Sequence, residues 1–302
     1  MSLVMPSEKS ESIRRRDGFI LIAVLWILAA LAALTSVYAI YIANTAVATR
    51  IYDYRLQTQA LVTAGLELTA YRLIGLDDAL RPTSGAFGFE IGRSRVDVAF
   101  RSEGARIDLN LAPREMLSGL FVVLGAAPED GDAFADRIIS WRTKPQAGAQ
   151  NTEAEAYQSA GLPYGPRQAP FQNTAELRLV RGLPSELADA ALPFVTVFNG
   201  RAEIDVNEAP PQVIAALPHI NASAVAEILN ERDPRNPQIA LRLVGAARSS
   251  VAVGGRRTTR ASVHVALDTG RKVNADVVLL IIDSGPEPYR ILAWRDDFDG
   301  PI

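Results

Sequence analysis

The chain has 302 residues, 31 Lys and Arg against 34 Asp and Glu, a formal net charge of -3, two histidines and no cysteine. Near-balanced charge argues against the basic field that holds nucleic acid. With only His219 and His264, disulfides and a His/Cys metal site are both excluded. Such a length exceeds the usual single core, and removing a leader and an anchor leaves roughly 230 residues, enough for two globular parts.

Residues 18–49 carry no charge and lie between Arg14-Arg15-Arg16-Asp17 and Arg50. The run opens Gly18-Phe19-Ile20-Leu21-Ile22-Ala23-Val24-Leu25-Trp26 and holds no proline. A hydrocarbon core about 30 Å thick is spanned by ~20 apolar residues, so this segment can cross a membrane and project beyond it. The basic flank predicts a cytoplasmic N-terminus and export of the chain beyond Arg50. An ordinary cleaved signal has a shorter apolar stretch and a small-x-small site. A plain anchor gives no reason for a glycine at the charge-to-apolar junction, whereas a residue without a side chain lets an extended backbone approach a peptidase's carboxylates.

Arg14, Arg15 and Arg16, then Gly18, Phe19 and a long apolar helix, resemble the class III signal of type IV pilins and type II secretion pseudopilins. The resemblance implies that a prepilin peptidase cuts after Gly18 and methylates the new amine of Phe19. It also makes Ala23 and Trp26 part of a filament helix. The family pattern has glutamate at the fifth mature position, occupied here by Ala23. That carboxylate is thought to pair with a neighbouring subunit's amine, since a lone charge in hydrocarbon is costly. Its absence is typical of the minor pseudopilin called protein K, a tip component with no subunit beyond it.

Past Arg50 no proline appears before Leu76, and Leu61, Val62, Leu66, Leu68 and Leu73 are mixed with Arg50, Asp53, Arg55, Glu67 and Arg72. The pattern predicts an amphipathic helix needing a partner surface; in pseudopilins that surface is the domain's own sheet. Phe87, Phe89 and Ile91, then Val96, Val98 and Phe100, alternate with polar or small residues across Gly92-Arg93-Ser94, which reads as a hairpin. Strand character then lapses and returns at Ala261–Leu267, Val273–Asp283 and Tyr289–Trp294. Two sheet fragments around a helical block predict one sheet with an insertion.

The block repeats itself. Ile107-Asp108-Leu109-Asn110-Leu111-Ala112-Pro113, continuing to Leu120, matches Ile204-Asp205-Val206-Asn207-Glu208-Ala209-Pro210, continuing to Leu217, at six of 14 positions. Each Asn is expected to bond backbone groups where a helix opens, and each Pro suits a first turn. The second copy runs into Pro218-His219-Ile220-Asn221-Ala222 and a helix, resembling a helix-hairpin-helix. A phosphate-binding hairpin would want glycine and cations; Glu208, Glu227 and Glu231 stand there instead. Ala133 to Arg142 with its terminal Trp141-Arg142, and Pro170-Phe171 through Glu176-Leu177 to Val180-Arg181-Gly182, resemble further protein K landmarks in the same order.

Calcium is bound by oxygen ligands in some relatives of this family. After Trp141-Arg142 this chain has Thr143 and Lys144 where acids are usual, leaving Glu153 and Glu155 as isolated candidates against a solvated loop. No P-loop, dinucleotide fingerprint, Gly-x-Ser-x-Gly elbow or HExxH occurs. Gly254 to Arg260 reads as an exposed turn entering a strand, and Asp296-Asp297-Phe298-Asp299 as a solvated tail.

The expected fold is α+β: a pilin-like N-terminal helix and a small antiparallel sheet interrupted by a large all-helical insert with helix-hairpin-helix-like repeats. Its parts are a leader (1–18), a transmembrane and amphipathic helix (19–76), a sheet domain (77–106 and 255–302) and an insert (107–254). The resemblance implies a non-enzymatic minor pseudopilin at the filament tip. Its partners would be the I and J pseudopilins, the prepilin peptidase and the inner-membrane platform, with no nucleic acid. Two alternatives stay open, a membrane-anchored helix-hairpin-helix DNA-uptake protein and a membrane-tethered periplasmic enzyme.

Overall fold

The computed structural model describes residues 13–76, 81–145, 152–233, 236, 238–252, 257–283 and 286–297. Most of the expected leader (1–12), the first four residues of the expected sheet domain (77–80), Gly254 to Arg256, and Phe298 and Asp299 lie outside them. The chain divides after Gln59 into two units.

The described part of the first unit is α1 (Ile13–Leu73) as far as Gln59, and the remaining turns of this 61-residue helix belong to the second unit. Alanine and leucine dominate it and proline is missing, so nothing interrupts its hydrogen-bond ladder. It ends at Leu73 rather than at the expected Leu76. Ile74 still donates to the Ala70 carbonyl, but Gly75 takes a φ of 81°, the left-handed conformation that closes helices. The buried Arg81 then donates from Nε to the Leu73 carbonyl at 2.9 Å and pairs with Asp283.

In the second unit β1 (Ser84–Ile91) and β2 (Ser94–Ser102) form the expected hairpin. Its turn is only Gly92-Arg93, because Ser94 pairs with Ile91; Gly92 supplies the positive φ, 63°, that a two-residue hairpin demands. The chain then leaves the sheet through β3 (Ile107–Asp108), α2 (Arg114–Val123), α3 (Pro128–Arg142), α4 (Thr152–Ser159), α5 (Ser185–Ala191) and β4 (Val195–Thr196). It continues through α6 (Pro211–Ala215), α7 (Ala222–Glu231) and α8 (Gln238–Leu243). It returns as β5 (Thr258–Ala266), β6 (Lys272–Ile281) and β7 (Tyr289–Asp296).

The sheet order is β1-β2-β5-β6-β7, antiparallel throughout. Val98 pairs directly with Val263, so the helical block is inserted between neighbouring strands and the fold is α+β as expected. The block is not wholly helical. Ile107-Asp108 pairs in parallel with Val195-Thr196, and Ile204 bridges Val251. Runs this short have no alternation to read, which is why sequence patterning passes over them.

Each part of the second unit has its own core. Leu61, Val62, Leu66, Ala70 and Leu73 are buried on the last turns of α1, as are Val96, Val98, Val263 and Val265 on the sheet. Gly65 makes that packing close, since a Cβ there would lie 3.0 Å from Val98 Cγ2. Leu68, expected on the buried face, points away and is exposed. The block buries its own cluster, from Ile107, Leu117 and Leu120 of the first repeat to Ile204, Val213 and Ile214 of the second.

Two polar assignments change. Arg260 stands in the strand that the expected turn enters, β5, but it is half-buried rather than exposed and bonds Glu103 and Asp276, each at 2.6 Å. Asp296 and Asp297 are not tail: Asp296 ends β7, and Asp297 accepts from the Asn274 amide at 2.7 Å.

Candidate functional site

Two regions carry the sequence signals, the N-terminal helix and the repeat-built block. On α1 the side chains from Phe19 to Val47 leave their large apolar groups exposed, with Phe19 and Trp26 each 74% accessible. Ala23 is half-exposed on the same helix. Gly18 and Arg14, Arg15 and Arg16 lie within its first turns. The hydroxyls of Thr35, Ser36, Thr45 and Thr49 each donate to a carbonyl one turn back, at 2.8 to 2.9 Å. Groups that hydrocarbon cannot solvate are thus satisfied inside the helix. Residues Phe19 onward form the one helix, among those described, long and apolar enough to cross a membrane.

In the block the two repeat copies fold alike. Asp108 accepts the Asn110 amide at 2.8 Å, and Asp205 accepts the Asn207 amide at 3.0 Å. Ala112 and Ala209 donate their amides back to the Asp108 and Asp205 carbonyls. Pro113 and Pro210 then stand at the N-caps of α2 and α6. The aspartate therefore makes the turn that was expected of the asparagine. Asn110 does something longer-ranged: its side-chain amide clasps Phe171 from both sides, accepting from the Phe171 amide at 2.6 Å and donating to its carbonyl at 3.0 Å.

Each copy is closed by an arginine that sequence comparison alone had not paired. Arg142, at the end of α3, donates to the Leu109 and Ala112 carbonyls at 2.5 and 2.8 Å. Arg232, just past α7, donates to the equivalent Val206 and Ala209 carbonyls at 3.3 and 2.7 Å. An arginine ending the second helix of both copies was the available signal. Burial pulls the Arg142 guanidinium below its ordinary value, opposed by the nearby Asp108. Burial pushes Asp108 up against the amides of Gly200 and Asn110 that favour its charged form.

The landmarks between the copies form one nest. Trp141 is buried, stacks on Phe171 at 6.0 Å between ring centroids, lies 6.1 Å from Tyr157, and points Nε1 at Glu176 at 3.3 Å. Glu176 also accepts the Gln172 amide. The Trp-Arg, Pro-Phe and Glu-Leu signatures are thus packing partners of one another. Glu153 faces Arg181 at 3.4 Å and Glu155 is exposed. No group of three or more His, Asp or Glu side chains suited to a metal occurs among the described residues. The two candidate carboxylates are not brought together with others, and one already has a cation.

Block and sheet are tied by a residue the sequence reading missed. Glu103, 1% exposed, pairs with Arg260 at 2.6 Å and Arg106 at 3.8 Å and accepts from the Thr196 hydroxyl. It thereby joins β5 to β4. Burial opposes charge on Arg260, yet Glu103 and Asp276 together raise its pKa.

Residues 102–200, from the end of β2 through the whole first repeat copy to β4, match the family model described as type II secretion system, protein K. Over that third of the chain the sequence is similar to the type II secretion system protein K family. Its fold is similar to that of a chain in the crystal structure of the GspK-GspI-GspJ complex from the type 2 secretion system of enterotoxigenic Escherichia coli. The TM-score is 0.65 at 15% identity, covering 84% of this chain and 99% of that one. No curated protein matches the chain significantly. The apolar α1 fits a single-pass membrane anchor by length and composition.

Proposed function

We propose that this chain is a protein K, the minor pseudopilin at the tip of the type II secretion filament, where it supports filament initiation and export of folded proteins across the outer membrane. The observation that carries the reading is the combination of a protein K block with an apolar helix that opens at Gly18-Phe19 and lacks an acid at Ala23. The arginine-bearing leader stays in the cytoplasm, prepilin peptidase cuts after Gly18, and the amine of Phe19 is methylated. Residues 19–76, with Ala23 and Trp26, form the anchor and assembly helix in the inner membrane. The sheet domain (77–106 and 255–302) and the insert (107–254) are periplasmic. The I and J pseudopilins and the inner-membrane platform are its partners, consistent with the proteins named together in the similar solved complex.

Mass spectrometry of the mature N-terminus tests the processing step. The expected product begins with methylated Phe19, and Gly18→Leu should accumulate as an uncut precursor that fails to support secretion. A Gly18→Leu chain that is cut and secretes normally overturns the reading.

A further inference from the structure

Strand register gathers charge on one face of the sheet. Residues directly opposite each other on neighbouring strands share a face, as do residues two apart on one strand. Arg101 stands opposite Arg260; two residues on, Ser262 stands opposite both Ala99 and Asp276; and Asp276 stands opposite Arg295. Val98 and Val263, on which Gly65 packs, belong to the other face. Arg101, Arg260 and Asp276 line a hollow of about 250 Å³ together with Arg106, from the chain that leaves the sheet for the block, and with Ala99 and Ser262, which add only small side chains. That volume lies below the ~300–1,000 Å³ of sites for drug-sized molecules, so the hollow suits a small group. A wider cleft of about 660 Å³ shares Arg106, Arg260 and Asp276 and adds Arg295, Leu192 and Phe198.

The cations are unequally committed. Arg260 bonds both Glu103 and Asp276 at 2.6 Å. In the wider cleft Arg178 bonds Asp189 at 2.5 Å. Arg106 has only Glu103, 3.8 Å away and already held by Arg260 and Thr196, and its guanidinium makes no hydrogen bond among the described residues. Arg101 and Arg295 are exposed, with no ion pair among the described residues. Four guanidiniums, those of Arg101, Arg106, Arg260 and Arg295, thus meet two carboxylates, Glu103 and Asp276, and two positive charges stay unmatched. Burial, with Arg260 and Arg101 nearby as like charges, pulls Arg106 below its ordinary value despite Glu103. An anion entering the hollow would relieve that repulsion.

The number and origin of these arginines select the anion. A carboxylate is planar and is satisfied by a single guanidinium fork, whereas a phosphate group carries ≈ −1.5 to −2 charge and three strong acceptor oxygens. Arg101 and Arg260 come from adjacent strands and Arg106 from the connection beyond them, so three donors from different chain segments reach one hollow. We propose that this hollow is a binding site for a phosphate group, held by Arg101, Arg106 and Arg260, with the wider cleft beside it taking the organic body of a phosphomonoester. The site is independent of the processing and tip assignments, because its test contains no other secretion component.

The test is isothermal titration calorimetry of the full-length chain in nonionic detergent micelles with inorganic phosphate and with phenyl phosphate, at fixed ionic strength so that screening stays constant. Saturable binding of both is expected. Arg101→Gln, on an exposed side chain without an ion pair among the described residues, should weaken binding about tenfold, as for loss of one charge-assisted bond, with thermal unfolding unchanged. Arg106→Gln should weaken it at least as much. Arg93→Gln, at an exposed arginine in the turn between β1 and β2, should bind as wild type does. Benzoate, planar and singly charged, should bind more weakly than phenyl phosphate. Tighter binding of phenyl phosphate than of inorganic phosphate assigns the site to an ester, and the reverse order assigns it to the free ion. The proposal is overturned by wild-type chain that binds neither, by Arg101→Gln and Arg106→Gln chains that bind as tightly as wild type, by an equal loss in Arg93→Gln, or by benzoate that binds as tightly as phenyl phosphate.

Discussion

Gly119→Ala should destabilise the block although it improves a helix. In the repeat alignment Gly119 and Ala216 are equivalent positions, and α2 and α6 meet there: a Cβ on Gly119 would lie 2.5 Å from the Ala216 carbonyl oxygen and 3.2 Å from its carbon. Ordinary contacts begin near 3.5 Å, so the two helices must part by about 1 Å. Replacing glycine inside a helix by alanine gains about 1 kcal/mol of propensity, whereas overpacking a fitted interface costs typically ~1–3 kcal/mol. The clash is with backbone, which cannot swing aside, so the upper part of that range applies and the net loss is about 1–2 kcal/mol. For a unit of this size that lowers Tm by roughly 2–8 °C. Urea and thermal unfolding of the detergent-solubilised chain measure it. Adding Ala216→Gly should not restore stability, because the obstructing atom is a carbonyl oxygen that glycine keeps. A Gly119→Ala chain as stable as wild type, or rescue by Ala216→Gly, would refute the close-approach argument.

Arg142→Met should cost more than Arg232→Met in the same assay. Each strips two carbonyls of a charged donor, a bond typically worth ~1.5–3 kcal/mol, and one of the Arg232 bonds is long at 3.3 Å. Glu103→Gln should cost about 3 kcal/mol, the penalty for removing one partner of a buried pair, since Arg106 loses its only ion-pair partner among the described residues. Tyr289 donates to Glu67 at 2.9 Å, and burial first, then that bond, push its phenol up from 10.0 to about 12. The folded value lies above the unfolded one, so its contribution is fully present below pH 10 and lost as the pH rises toward 12. Tyr289→Phe should therefore be less stable than wild type at neutral pH, by under about 1 kcal/mol for an accessible bond. That gap should close above pH 10; a gap that persists there would contradict the assignment.

What sequence made legible was whatever repeats with a period. The charge-free run, the alternating strands and the return of strand pattern after the block all follow from side-chain periodicity, and β1, β2, β5, β6 and β7 lie where that periodicity put them. The Ile-Asp-x-Asn-x-Ala-Pro repeat was visible as text, but its chemistry was assigned to the wrong side chain. Asparagine is the better-known cap, yet the turn places Asp108 and Asp205 two residues before the amide they accept and frees Asn110 to reach Phe171, 61 residues on. Contacts of that span have no local signature. Glu103 was invisible for the same reason: its partners Thr196 and Arg260 come from separate strands far along the chain.

The duplication also bears on the DNA-uptake alternative. A hairpin that grips phosphate must present free amides at a helix start with cations beside them. In the second copy the Asn221 side chain already accepts the Ala224 amide at 2.9 Å, and the Val225 amide bonds the Asn221 carbonyl. His219 occupies the left-handed position at φ 59°, where a bulky side chain stands in place of the glycine that lets backbone approach a ligand. Glu227 and Glu231 are exposed on the following helix. The first helices of the two hairpins, meanwhile, are spent on one another at Gly119 and Ala216. Pairing the copies face to face uses up the surface that a nucleic-acid module would present.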